Sequence, residues 1–369
     1  GLLLQAAVLA AVVGVLGWFA ANAWSELRSF GYGFMDNTSG FEISFKLTAY
    51  SRESSYWDVL VVGLLNTLLV AGLGIVLATL LGFVVGIARL SPNWIVSRLA
   101  AAYVEFVRNV PLLLWILFFY LALLPTLPPA KQAISVGGSV FLSNRGLYVP
   151  KLHWGEGAWT IPLGLAAGIL AAVLFSRWAR ARQQATGKRP PDLLLGAAAV
   201  VGLPLLAFFA AGMPVSLEFP ELKGFNFRGG LAIQPELVAL VLALTIYTAT
   251  YIAEIVRSGI EGVSKGQSEA ASALGLSRGQ RLRLVVIPQA MRIIVPPLTS
   301  QYLNLTKNSS LATAIAYPDL VAVFAGTALA QAGREIEILG LTAAIYLTLS
   351  LLTSLAMNLY NRRTQLRER

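Results

Sequence analysis

Three amide residues in the C-terminal third are spaced to share one helix face. Gln301, Asn304 and Asn308 stand at i, i+3 and i+7, with Leu311 continuing the row at i+10 and Lys307, Ser309 and Ser310 beside it. Amides and hydroxyls both donate and accept hydrogen bonds, so this stripe suits a small solute that carries both charges. It suits hydrogen bonding to a neighbouring helix equally well, and the residues alone leave both readings open. Arg108-Asn109 is a second candidate, either for an anionic group or for a tie between helices, and Asn66-Thr67 a third. Glu105 precedes Arg108 by three positions, as Glu254 precedes Arg257, and both spacings suit ion pairs within a helix. The single histidine, His153, has no ligand set around it in sequence. With no cysteine, the chain can form neither disulfides nor thiolate metal sites of its own.

These groups need elements to hold them, and composition says what those are. Of 369 residues, 56% are hydrophobic and 12% charged, with a mean hydropathy of +0.69. Soluble domains carry about 25% charged residues, and several apolar runs here approach or exceed the roughly 20 residues that cross a bilayer as a helix. The fold class is therefore an all-α polytopic membrane protein. About eight transmembrane helices are expected, near Gly1–Trp24, Asp58–Ala88, Leu99–Leu124, Trp159–Trp178, Leu193–Gly212, Gln234–Val256, Val286–Ile315 and Ile336–Tyr360. Gly1 lies inside an apolar run, so a preceding cytoplasmic start is expected to be missing. Pro288, Pro296 and Pro297 fall early in the seventh span, where each removes a ladder hydrogen bond. They suit a hinge or a fixed kink equally.

The net charge of +10 does not form one basic module, so nothing here calls for nucleic acid. Of the 28 Lys and Arg, 17 fall on one side of the spans, nine on the other, and Arg108 and Lys307 inside spans. The richer side is expected to be cytoplasmic and to hold both chain ends.

Between the sixth and seventh spans runs a polar loop, residues 257–288. Within it, Gln267–Leu274 is built of helix formers, Glu269 sits near the helix start where the dipole favours a carboxylate, and Gly275 supplies a left-handed stop. Such a short helix, with small Ala270 and Ala271 on it, can dock into a groove of a partner and pass motion to the spans on either side.

This loop resembles the "EAA" loop of bacterial ABC importer permeases: Glu-Ala-Ala, three residues, Gly, nine residues, then an Ile-x-Leu-Pro-like end. Here it reads Glu269-Ala270-Ala271, Gly275 and Val285-Val286-Ile287-Pro288, departing only by Val for Ile and Ile for Leu. Tyr251-Ile-Ala-Glu-Ile-Val-Arg, Lys307-Asn-Ser-Ser-Leu and Val104-Glu-Phe-Val-Arg-Asn-Val-Pro-Leu-Leu are similar to the polar-amino-acid (histidine/glutamine) permease family. Gly31-Tyr-Gly-Phe-Met-Asp-Asn-Thr-Ser-Gly-Phe-Glu-Ile and Gly63-Leu-Leu-Asn-Thr resemble the larger permease of general L-amino-acid (Aap/Bzt type) systems.

The resemblance implies a five-helix type I importer core in the bacterial inner membrane, with extra peripheral helices. The expected division is 1–57, an extra helix and periplasmic segment; 58–124, the first part of the core; 125–233, a periplasmic loop with an inserted helix pair; and 234–369, the rest of the core with the coupling loop. It implies a second homologous permease, an ABC ATPase dimer, a periplasmic amino-acid-binding protein and surrounding membrane lipid as partners. It assigns Gln267, Glu269, Ala270, Ala271, Gly275, Arg278 and Pro288 to ATPase coupling. No cofactor is expected in this chain. ATP and Mg would be bound by the partner, consistent with the absence here of a Gly-x-x-x-x-Gly-Lys-Ser/Thr phosphate loop. The competing reading is a secondary transporter or channel for small polar solutes, which should show two repeat-related halves. An integral-membrane enzyme should show a His/Asp/Glu constellation at one face; one histidine does not supply it.

Overall fold

A computed structural model describes residues 9–15, 17–18, 30–187 and 190–364. In chain order its principal elements are α1 (Tyr56–Arg89), α2 (Trp94–Arg108), α3 (Leu112–Thr126), β1 (Ile134–Val136), β2 (Val140–Ser143), β3 (Gly146–Val149), β4 (Lys151–Trp154), α4 (Thr160–Thr186), α5 (Asp192–Ala210), β5 (Val215–Glu218), β6 (Glu221–Lys223), β7 (Asn226–Arg228), β8 (Leu231–Ile233), α6 (Pro235–Glu261), α7 (Lys265–Ala273), α8 (Ile287–Asn308), α9 (Val321–Ala332) and α10 (Glu335–Thr364). Six described helices are long and apolar enough to cross a membrane, and the bent pair α2–α3 makes a seventh. Residues 9–15, 17 and 18 are helical, and the rest of the expected first span lies outside the described residues.

Two compact units emerge: Gly1–Pro125 with Glu236–Arg369, and Thr126–Pro235. In the first, α1 starts at a reciprocal cap. The Ser55 hydroxyl accepts from the Asp58 N–H, and the Asp58 carboxylate accepts from the Ser55 N–H at 2.9 Å. Gly74, Ala78, Gly82 and Gly86 recur every fourth residue along α1 and are buried. A Cβ at Gly82 would stand 2.6 Å from that of Ile252 on α6, so backbone-to-backbone contact in the small-xxx-small manner joins these helices. Ala290, Ile294, Leu298 and Leu305 of α8 complete that core with Ala78, Ile252 and Val256. A second cluster joins Met35, Ile43 and Tyr50 of the segment before α1 to Val59, Leu320, Phe324 and Ile338.

The third expected span is not one helix. α2 and α3 meet at a 101° bend, because Pro111 has no N–H to offer the Val107 carbonyl and its ring crowds that turn. The freed carbonyl instead accepts from the Trp115 indole at 3.1 Å. A further departure is α9, a short and largely π-helical element that follows the left-handed Ala316. Its 12 residues fall below the length that marks a span.

The second unit combines the antiparallel sheet β1-β2-β3-β8, the pairs β4–β5 and β6–β7, and the hairpin α4–α5. The strands are an addition to the expected loop. Tyr148 and Phe227 pack with Ala130 into a small core, the Phe141 and Phe227 rings stacking at 4.6 Å. His153 on β4 bonds Glu218 on β5 at 2.6 Å, which holds the Glu218 carboxyl below its usual range.

Candidate functional site

The polar loop folds as its local chemistry dictates. α7 ends in a Schellman motif: the Leu276 N–H reaches the Ala271 carbonyl at 3.2 Å and the Gly275 N–H the Ser272 carbonyl at 2.9 Å. Gly275 adopts φ +76°, a conformation in which a side chain is strained. A second capping box follows at once. Gln280 Oε1 accepts from the Ser277 N–H at 2.9 Å, and the Ser277 hydroxyl accepts from the Gln280 N–H at 3.4 Å.

One face of α7 is tied inward. Ala271 is 3% exposed, Gln289 donates to Gln267 at 3.1 Å, and Arg281 donates to the Ser272 hydroxyl. The other face presents Glu269, Ala270 and Ala273, and beside them Leu274 is 81% exposed. Pro288 is the second residue of α8 and follows directly on a π-helical turn, Leu282–Val286, which absorbs the break its missing N–H makes in the ladder. The side chain of Arg278 lies outside the described residues. The exposure of Leu274 escapes the sequence reading, although an apolar residue directly before a capping glycine is a visible signal.

Behind α7, charged groups form a ladder. Arg89 at the end of α1 pairs with Glu254 on α6, Glu254 with Arg257 at 2.6 Å, and Arg257 with Glu261, four residues before α7 begins. The Glu254–Arg257 pair is as expected from spacing. Glu105 and Arg108, by contrast, form no ion pair. Arg108 instead lies over the Tyr251 ring, 4.7 Å from its centre, a contact worth about 0.5–1 kcal/mol at an exposed position. Arg89, Val104, Glu105, Arg108, Asn109, Tyr251 and Glu254 line a cavity of about 380 Å³. Tyr251, whose hydroxyl meets that of Tyr247 at 2.9 Å, is a further group at this site that spacing did not reveal.

On α8, Asn304 and Lys307 are exposed, Gln301, Asn308 and Ser310 half-buried, and Ser309 buried. The Ser309 and Ser310 hydroxyls donate back to the Thr306 and Lys307 carbonyls, so both serve the helix end first. α8 runs through Pro296 and Pro297 without interruption. Asn66 and Thr67 lie on α1. Both are fully buried: Asn66 donates to the Phe45 and Pro318 carbonyls at 2.9 and 2.8 Å, and Thr67 accepts from the Leu320 N–H at 3.0 Å. They clamp the chain before α9 onto α1. Between these two contacts lies Asp319, a fully buried carboxylate that accepts from the Ala322 N–H at 2.9 Å and caps α9.

The model of the binding-protein-dependent transport system inner membrane component family matches residues 164–366. The chain belongs to that family. The loop from Glu269 to Pro288 is the family's Glu-Ala-Ala motif, and this family member is a multi-pass inner-membrane protein. The general L-amino acid transport system permease protein AapQ of Rhizobium johnstonii is 48% identical over 99% of this chain and 92% of its own. The glutamate/glutamine/aspartate/asparagine transport system permease protein BztB of Rhodobacter capsulatus is 41% identical over 99% of this chain and 94% of its own. A solved amino acid ABC transporter chain is 21% identical, covers 84% of this chain and 95% of that one, and superposes with a TM-score of 0.49. The relatives are named as permease proteins of amino-acid transport systems, and this chain is a permease of that kind.

Proposed function

We propose that this chain is the permease of an ATP-driven importer that moves L-amino acids of broad range from periplasm to cytoplasm by alternating access. The observation that carries this is the capped helix α7, tied inward through Gln267 and Ser272 while Glu269 and Leu274 face out. Such a helix is rigid enough to transmit force and has an apolar tip free to be received by a partner. The partner is an ABC ATPase dimer, which binds ATP and Mg; a second homologous permease and a periplasmic amino-acid-binding protein complete the system. The excess of Lys and Arg on the side of α7 supports a cytoplasmic place for that helix and for both chain ends.

The cargo assignment is supported by relatives whose names specify amino acids and by the chemistry of two sites. The cavity at Arg108 and Asn109 offers a guanidinium to a carboxylate and the acid Glu105, which no ion pair among the described residues engages, to an ammonium. The exposed Asn304 and Lys307 carry the polar row to a face that this chain leaves uncovered. A charged side chain turned to lipid costs about 2.5–3.5 kcal/mol, so that face borders either the solute path or the second permease.

Reconstitution with the ATPase and the binding protein, followed by competition with a panel of L-amino acids, tests this reading. Inhibition by several amino acids of different charge is the expected result, and inhibition by none contradicts the cargo.

A further inference from the structure

The hairpin α4–α5 carries a groove apart from the coupling loop and from the Arg108 cavity. The helices pack closely: a Cβ at Gly168 would stand 2.5 Å from the Ala199 carbonyl oxygen, and one at Gly196 3.3 Å from that of Ala172. Beside this contact Ile169, Ala172, Val173, Ser176, Arg177, Arg180 and Val200 line an open groove of about 310 Å³. The spacing 169, 173, 176, 180 places them along one face of α4.

The pocket has two ends of different character. One end is an apolar trough of the exposed Ile169 and Val173 with the half-buried Val200, and the other carries two guanidinium groups. Among the described residues Arg177 has no ion-pair partner and Arg180 bonds only the Ser176 hydroxyl, at 3.4 Å. The nearby acid, Asp192, accepts from that same hydroxyl at 3.4 Å. Arg182 rests on the Trp178 ring, 5.2 Å from its centre. From Thr160 to Arg177 the helix climbs about 26 Å, close to the roughly 30 Å hydrocarbon thickness. The basic end therefore stands where lipid phosphates lie, with an interfacial tryptophan beside it.

We propose that this pocket binds an anionic phospholipid, its phosphate held by Arg177 and Arg180 and an acyl chain laid along Ile169, Val173 and Val200. Charge complementarity decides the occupant. Guanidinium forks match phosphate geometry, a free anion would leave the trough empty, and a zwitterionic lipid brings an ammonium toward two arginines. Basic pockets between membrane helices recognise anionic headgroups by this chemistry.

The test is native mass spectrometry of the detergent-purified complex, titrated with cardiolipin, phosphatidylglycerol and phosphatidylethanolamine. The wild type should retain the anionic lipids over phosphatidylethanolamine. Arg177→Gln with Arg180→Gln should weaken that retention about tenfold or more, as expected for removing two interfacial charges. Val173→Trp, which fills the trough and leaves every charge in place, should weaken it too and carries the test if the double variant does not assemble. Unchanged retention in these variants, or equal retention of phosphatidylethanolamine, overturns the proposal. An equal loss with Arg98→Gln would show diffuse surface charge alone and overturns it as well.

Discussion

Arg89 and Glu254, 165 positions apart in the chain, form an ion pair that fastens the end of α1 to α6. The same carboxylate takes Arg257 at 2.6 Å, and Arg257 reaches on to Glu261. Isolated exposed pairs contribute little, about 0.2–1 kcal/mol each, but a shared carboxylate fixes several side chains at once. These pairs join α1 and α6 into one body at the end from which α7 departs. Tight packing at Gly82 and Gly86 continues that body along both helices.

Replacing Glu254 with Gln leaves Arg89 and Arg257 facing each other without their carboxylate. Hydrogen bonds to charged groups contribute about 1.5–3 kcal/mol, so the apparent melting temperature should fall by a few degrees. The ATP hydrolysed per solute imported should rise while the ATPase still co-purifies. An unaltered ratio in proteoliposomes would show that the ladder transmits nothing.

Gly275→Ala places a side chain at φ +76°, at a cost of about 1–2 kcal/mol. α7 should fray at its C-terminal end, seen as faster amide exchange at Leu274 and Leu276, and uptake should drop. Gly275→Asn should be the milder change, because Asn tolerates the left-handed region. Equal effects of Ala and Asn would argue against the cap as the cause.

Gly82→Leu forces atoms into the 2.6 Å gap to Ile252, and overpacking of this kind costs about 1–3 kcal/mol or more. Gly72→Leu, where an added Cβ meets nothing within 4 Å, should be close to neutral. Thermal stability of the two variants side by side checks the claim, and similar losses would contradict it.

The two readings of the α8 stripe separate by experiment. Asn308→Ala and Lys307→Ala should raise the transport KM or shift selectivity with both permeases and the ATPase still assembled. Loss of the second permease with selectivity intact would assign the stripe to that interface instead. Ser309→Ala, whose hydroxyl is spent on the Thr306 carbonyl, should affect stability more than selectivity.

What could be read ahead of the structure was local. Gly275 marks its own stop, and Glu254–Arg257 is set by helical geometry. Averaging hydropathy over the third span hid Pro111, although a proline there removes a bond wherever it stands. α9 escaped because 12 apolar residues do not distinguish a short embedded helix from a loop. The contacts of Asn66 and Thr67 are hidden from the sequence because their partners, Pro318 and Leu320, lie 252 and 253 positions away. No spacing rule reaches that far. Strands β1–β8 are three or four residues each, too brief to show alternation.

The central claim is that α7 couples this permease to an ATPase, and ATP-driven uptake measures it most directly. Proteoliposomes holding the chain, its second permease and the ATPase, with the binding protein outside, should accumulate labelled L-amino acid only when ATP is enclosed with the ATPase. Glu269→Ala or Leu274→Asp should cut that uptake at least about tenfold, equivalent to about 1.4 kcal/mol of lost coupling. Uptake that proceeds without ATP, or that both variants leave unchanged, would contradict the account.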